Sequence, residues 1–176
     1  AAATANATAE RARTPTPCQC ETSSPLWRAP ARTTPRCVFV DLGAADGNTF
    51  QSFLNNGYGP VANCPGGGAW SAILVEANPR FDPPLQALQQ RYGPEHVQAL
   101  SSHAAYSCEA TTSFYLDTVT TDHNFWGSSM SSEAQDVKNS GMQKVTVPTT
   151  NLNRLLFENT IPGDWVLVKM DIEGAE

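Results

Sequence analysis

Cys37-Val38-Phe39-Val40-Asp41-Leu42-Gly43-Ala44-Ala45-Asp46-Gly47-Asn48-Thr49-Phe50 is the stretch on which the fold turns. Four apolar residues lead into an acid. A small-residue turn with glycines at 43 and 47 follows, and Phe50, Phe53 and Leu54 then recur at helical spacing. A short apolar run, a turn and a 3.6-residue period predict a buried strand, a tight loop and a helix start. In an open α/β sheet, ligands sit beyond the carboxyl ends of the strands, where strand order reverses. A first strand ending in such a loop is a natural ligand cradle, and a glycine turn with no ligand would read the same in these residues alone.

The charges of the loop narrow the ligand. A dinucleotide fold uses G-x-G-x-x-G to bring backbone N–H groups onto a pyrophosphate. Here the spacing is Gly43-x-x-x-Gly47, with Asp41 and Asp46 on either side of the turn. Two acids repel a pyrophosphate and suit a ligand carrying positive charge, such as S-adenosylmethionine with its sulfonium and ammonium groups.

Outward from that loop, the first helix spans about 49–56, and a long connection follows, 58–69, containing Cys64-Pro65-Gly66-Gly67-Gly68. A second strand, 71–75, ends at Glu76, where a carboxylate can accept hydrogen bonds from both hydroxyls of a ribose; a solvated strand-end acid is the alternative. Asp82-Pro83-Pro84 reads as a cap with prolines in the first turn of a helix whose buried face is Leu85, Leu88 and Tyr92. A third strand is expected over 97–105, with 113–116 as an antiparallel partner. Residues 117–140 form a long polar loop carrying Phe125 and Trp126, and adjacent aromatics argue for function over disorder. A strand at 144–147, a short helix with Leu152, Leu155 and Leu156, and a nearly all-apolar strand at 165–170 complete the pattern. That last strand is expected to be central in the sheet. It delivers Asp171 and Glu173 to the same edge as Asp41 and Glu76.

With 176 residues, 40% of them hydrophobic, the chain has one domain's worth of core. A net charge of −6 and no basic stripe argue against nucleic acid as a partner. No apolar run reaches membrane-span length, and an N-terminal anchor would lie outside the sequence shown. Residues 1–36, rich in Ala, Thr, Pro and Arg, read as a stem or linker, and 37–176 as the folded domain. The cysteines 18, 20, 37, 64 and 108 have no zinc-type spacing, so no metal is expected and at least one disulfide is. With the sequon Asn6-Ala7-Thr8, they tilt the expected location toward the secretory lumen (Golgi) or outside the cell, the cytoplasm or an organelle being the alternative.

Three segments together carry a resemblance. Val38 to Gly47, then Val75-Glu76-Ala77-Asn78-Pro79, then Val168-Lys169-Met170-Asp171-Ile172-Glu173-Gly174-Ala175-Glu176 resemble, in order, the motifs of the FkbM-type methyltransferase family. The last is the most specific, and the resemblance covers about 36–176. It implies an α/β fold of the Rossmann-like class I methyltransferase kind, a three-layer sandwich on a mainly parallel sheet. It also implies S-adenosylmethionine as cofactor and methylation of a hydroxyl, most often of a sugar or polyketide. Asp41, Gly43, Ala44, Asp46, Gly47, Glu76 and Asn78 would hold the cofactor, the loop at its methionine end and Glu76 at the ribose. Lys169, Asp171 and Glu173 would lie near the transferred methyl.

A hydroxyl acceptor benefits from a base, which contributes about 10²–10⁴-fold. Asp171, Glu173 and His123 are the candidates. Asp171 comes first because it follows a strand; Lys169 either pairs with one of these acids or reaches solvent. A class I fold continues beyond this strand, so the expectation is of further C-terminal strands absent from this chain, or of a partner covering an apolar edge. Two other readings remain open: a non-catalytic module that keeps the fold for a structural or recognition role, and a nucleotide-dependent oxidoreductase, disfavoured by the missing third glycine.

Overall fold

The computed structural model describes residues 21–173. In chain order, β1 (Cys37–Leu42) leads to α1 (Asn48–Leu54), β2 (Trp70–Glu76), α2 (Asp82–Tyr92), β3 (Val97–Ser101), β4 (Ala104–Tyr106) and β5 (Thr111–Tyr115). There follow α3 (Gln135–Asn139), β6 (Lys144–Asn151), α4 (Leu152–Asn159) and β7 (Trp165–Met170). The main sheet has the order β3-β2-β1-β7, with every pairing parallel.

Every residue of β1 and β2 is buried, as in strands covered on both faces. On one face, Cys37 and Phe39 meet Phe50 and Phe53 of α1 and Leu85 and Leu88 of α2. Phe39 stacks on Phe53 with ring centroids 4.5 Å apart. On the other face, Val38, Val40 and Leu42 meet Leu155 of α4 and the half-buried Leu152 and Leu156. The result is the three-layer, mainly parallel α/β arrangement expected from the sequence. Asn151 caps α4 by accepting hydrogen bonds from the N–H groups of Asn153 at 2.9 Å and Arg154 at 3.4 Å.

Four local expectations need correction. Residues 97–105 are two strands, broken at Ser102, whose φ is +54°. β3 stays in the main sheet, whereas β4 joins a second sheet of order β4-β6-β5. A single left-handed residue leaves the apolar pattern unchanged, so periodicity does not reveal it. The antiparallel partner of β5 is therefore β6 and not the third strand. Asp82 is the first helical residue of α2 and not its cap; its carboxylate accepts a 2.8 Å hydrogen bond from the Ser102 hydroxyl. β7, expected to be central, is the outermost strand of the sheet among the described residues. Val166 and Val168 are 38% and 39% exposed, so an apolar run by itself does not fix a strand's lateral position in the sheet.

The connection after α1 is pinned by a disulfide between Cys37 and Cys64, whose Cα atoms are 5.8 Å apart, so the expectation of at least one disulfide is met. Of the expected stem, residues 1–20 with Cys18, Cys20 and the sequon lie outside the described residues. Residues 21–36 run along the α4 side of the domain. Trp27 is buried against Phe157 with ring centroids 5.9 Å apart. Arg32 grips Asp164 with both terminal nitrogens, Nη1 to Oδ1 at 2.7 Å and Nη2 to Oδ2. Among the described residues, no helix is long and apolar enough to cross a membrane.

Candidate active site

The carboxyl ends of β1, β2 and β7 open onto a cavity of about 380 Å³, within the usual size range for a small-molecule site. β2 ends in Glu76, which is 7% exposed and lines this cavity. Its Oε2 accepts the Ala45 N–H at 2.8 Å and its Oε1 the Asn78 N–H at 2.7 Å. Burial raises the Glu76 pKa above the usual carboxylate value, and those backbone N–H groups oppose the rise. Each oxygen retains acceptor capacity toward the cavity.

The parallel register places Lys169 of β7 directly beside Asp41 of β1. Lys169 Nζ lies 3.2 Å from Asp41 Oδ1 and 3.5 Å from Asp171 Oδ2, and donates to the Gly43 carbonyl at 3.0 Å. Asp41 is fully buried, and burial pushes its carboxyl up to about 6, with Lys169 pulling it back down. The Asp41–Lys169 contact is an ion pair without good hydrogen-bond geometry, since neither Asp41 oxygen has a directed donor. Asp41 does not line the cavity; it faces Lys169, which does. Gly43 has φ +83°, and a Cβ there would run into the Asp171 carbonyl, so β7 and the β1 loop approach to a distance that glycine alone permits. At Gly47, φ +78°, a Cβ would meet Leu88 of α2 at 2.7 Å.

The remaining site residues separate into two groups. Gly43, Asn78, Asp171 and Glu173 line the cavity together with Glu76 and Lys169. Asn78 is 3% exposed and its side-chain amide donates to Ser128 Oγ at 3.0 Å, tying the end of β2 to the 117–130 loop. Asp171 is exposed, and Glu173 receives the Ser129 hydroxyl on its backbone carbonyl at 2.7 Å. Ala44, Asp46 and Gly47 do not line the cavity: Ala44 is buried in the core under α1, and Asp46 Oδ1 accepts the Asn48 N–H at 3.1 Å. His123 also stays outside, on the surface 3.7 Å from Asp122. The end of the third motif, Gly174 to Glu176, lies outside the described residues.

His103 lines the cavity and was hidden within what reads as one continuous strand. Its Nδ1 lies 2.8 Å from the Ser101 carbonyl; a carbonyl only accepts, so Nδ1 carries a proton and donates it there. The aromatic loop is at the site as well: Phe125 and Trp126 line the cavity, and Phe81 and Phe114 add apolar wall.

The N–H groups of the β1 loop turn inward. Gly43 and Ala44 donate to the Val75 carbonyl at 2.9 and 3.1 Å, Gly47 to Ala44 at 2.8 Å, and Ala45 and Asn48 to Glu76 and Asp46. These amides are spent within the protein, so the loop is not the anion cradle that a pyrophosphate requires.

The family model described as a methyltransferase FkbM domain matches residues 41–176. The chain belongs to the FkbM methyltransferase family. No curated protein and no solved structure matches the chain. The FkbM region begins at the buried Asp41 and takes in every site residue named above, whereas residues 21–36, packed on the α4 side, precede it.

Proposed function

We propose that the protein is an S-adenosylmethionine-dependent O-methyltransferase acting on a hydroxyl of a sugar or glycan. The observation that carries this reading is the pairing of a buried, cavity-lining Glu76 carboxylate with a glycine loop whose amides are spent inside the protein. Such a site suits a nucleoside with a cationic tail and opposes one with a pyrophosphate. The donor set fits the cofactor: Glu76 for the ribose hydroxyls, Gly43 and Asn78 beside it, and the acids that follow β7, Asp171 and Glu173, toward the sulfonium. Because β3 lies on the far side of β2 from β1, His103 and Phe81, which line the cavity, would be the residues beside the adenine.

When bound, the cofactor supplies an electrophilic methyl group; its transfer forms a C–O bond, breaks the C–S bond and leaves a neutral thioether. The chain's own residues position the acceptor and take its proton. Asp171 receives the hydroxyl proton, and Lys169, 3.5 Å away, orients its carboxylate. Positioning in well-oriented reactions is worth roughly 7–11 kcal/mol. The Cys37–Cys64 disulfide supports a secretory-lumen or extracellular setting.

Calorimetric titration with S-adenosylhomocysteine tests the reading. Hydrogen bonds to a charged group are worth about 1.5–3 kcal/mol, so Glu76→Ala is expected to weaken binding by roughly 10- to 100-fold. Unchanged affinity in that variant overturns the assignment.

A further inference from the structure

The aromatic residues at the rim of the cavity carry their own recognition chemistry. Trp126 is 58% exposed yet lines the cavity, as does Tyr58 at 57%. The indole is presented by a backbone that local preference disfavours: Asn124 and Phe125 are consecutive non-glycine residues with φ +50° and +60°. That conformation is held from two sides. The Arg80 guanidinium lies 3.6 Å above the Phe125 ring, and the Asn124 amide reaches Asp46 Oδ2 at 3.4 Å. Phe125 is thereby occupied, whereas Trp126, with the His123 ring beside it at 6.4 Å between centroids, stays largely exposed at the cavity.

The ionisable lining is one-sided. Three carboxylates, Glu76, Asp171 and Glu173, face one ammonium, Lys169, and one imidazole, His103, whose Nδ1 is taken up by the Ser101 carbonyl. Lys169 is already engaged by Asp41, Asp171 and the Gly43 carbonyl. Arg80 does not line the cavity. Among the described cavity-lining residues, no ammonium or guanidinium is therefore free for a phosphate, sulfate or carboxylate on the acceptor. Carboxylates accept hydrogen bonds and donate none, so they call for hydroxyl donors. The negative face of an indole suits the C–H face of a saturated ring. A protonated amine is attracted to the same surface but has no lone pair to accept a methyl group.

We propose that this subsite takes an uncharged pyranoside, laid on the Trp126 indole with its hydroxyls toward Asp171 and Glu173, and rejects sugars bearing anionic groups. The inference rests on the methyltransferase reading above and adds the charge class of the acceptor and the residue that holds its ring.

The test uses the full chain saturated with S-adenosylhomocysteine. A methyl hexopyranoside, the corresponding uronate and the 6-phosphate are titrated in turn at low and high ionic strength, with binding read by saturation-transfer NMR and calorimetry. The neutral glycoside is expected to bind at least about tenfold more tightly than either anion at low salt, with the gap narrowing as salt screens the carboxylates. Trp126→Ala is expected to lose about fivefold to tenfold of glycoside affinity, and Trp126→Phe to recover most of it. An anion that binds as tightly as the neutral sugar overturns the proposal without recourse to any variant. So does unchanged glycoside affinity in Trp126→Ala. Homocysteine-nucleoside binding without glycoside binding overturns this inference alone, whereas no binding of S-adenosylhomocysteine overturns the underlying reading too.

Discussion

Two aspartates in this protein respond to pH with opposite sign. The Arg32 guanidinium hydrogen-bonds Asp164 and holds its carboxyl well below the usual range, at about 2. A depressed folded-state pKa contributes stability that is present above the unfolded value and lost as pH falls through the folded one. At 1.36 kcal/mol per unit, the contribution is about 2 kcal/mol. Urea denaturation between pH 5 and pH 2 should show that loss in the wild type, and a flatter profile in Asp164→Asn; identical profiles would refute the assignment. Asp41 works the other way. Burial lifts it to about 6, so its ionisation penalises the folded state, and its contribution declines as pH rises through the window from about 4 to 6. Replacing it by Asn should remove that decline in the same titrations, and a decline that persists unchanged would exclude Asp41 as its source. The ion pair with Lys169 is thus one whose value lies in orienting Lys169 toward Gly43 and Asp171, since burying charge is itself unfavourable.

At the scale of elements, the Cys37–Cys64 bridge closes a sequence separation of 27 residues and fastens the connection carrying Tyr58 to the first residue of β1. Loop-closure entropy for that length corresponds to about 3–4 kcal/mol. Cys64→Ser is expected to lower thermal stability accordingly, and melting temperatures that coincide under oxidising conditions would show that the bridge constrains nothing. What the amino-acid pattern made legible follows the same logic of local chemistry. β1, β2 and β7 were readable because apolar runs bounded by turn residues have few alternative fates. The break at Ser102 was not readable, because it depends on the Ser102 hydroxyl finding Asp82, twenty residues away in sequence. His103 was hidden with it. Conversely, Asp41 and Asp46 drew attention as loop acids, but only three-dimensional register reveals that Asp41 faces Lys169 inside the core and that Asp46 caps its own turn.

At the scale of the whole molecule, the outermost strand of the main sheet among the described residues is β7, whose Trp165 and Met170 are about half exposed, 54% and 49%. An apolar, flat edge with free backbone groups promotes pairing with another chain. A protein of residues 1–176 is expected to self-associate with rising concentration in sedimentation experiments despite its net charge of −6, and Val166→Lys with Val168→Lys to suppress this. Monomeric behaviour of the unmodified chain at high concentration would show that the edge is already blunted. The left-handed residue at Ser102 has a different reach. By handing the chain from one sheet to the other, it makes the cavity a joint venture of two scaffolds. β2, β7 and the residues that follow β7 supply the charged lining, while β4 and β5 supply Ala104, Ala105 and Phe114. The second scaffold and its aromatic loop can be rebuilt by substitution or insertion while the first keeps its register. A differently shaped lining on that side is therefore open to this architecture without disturbing the main sheet.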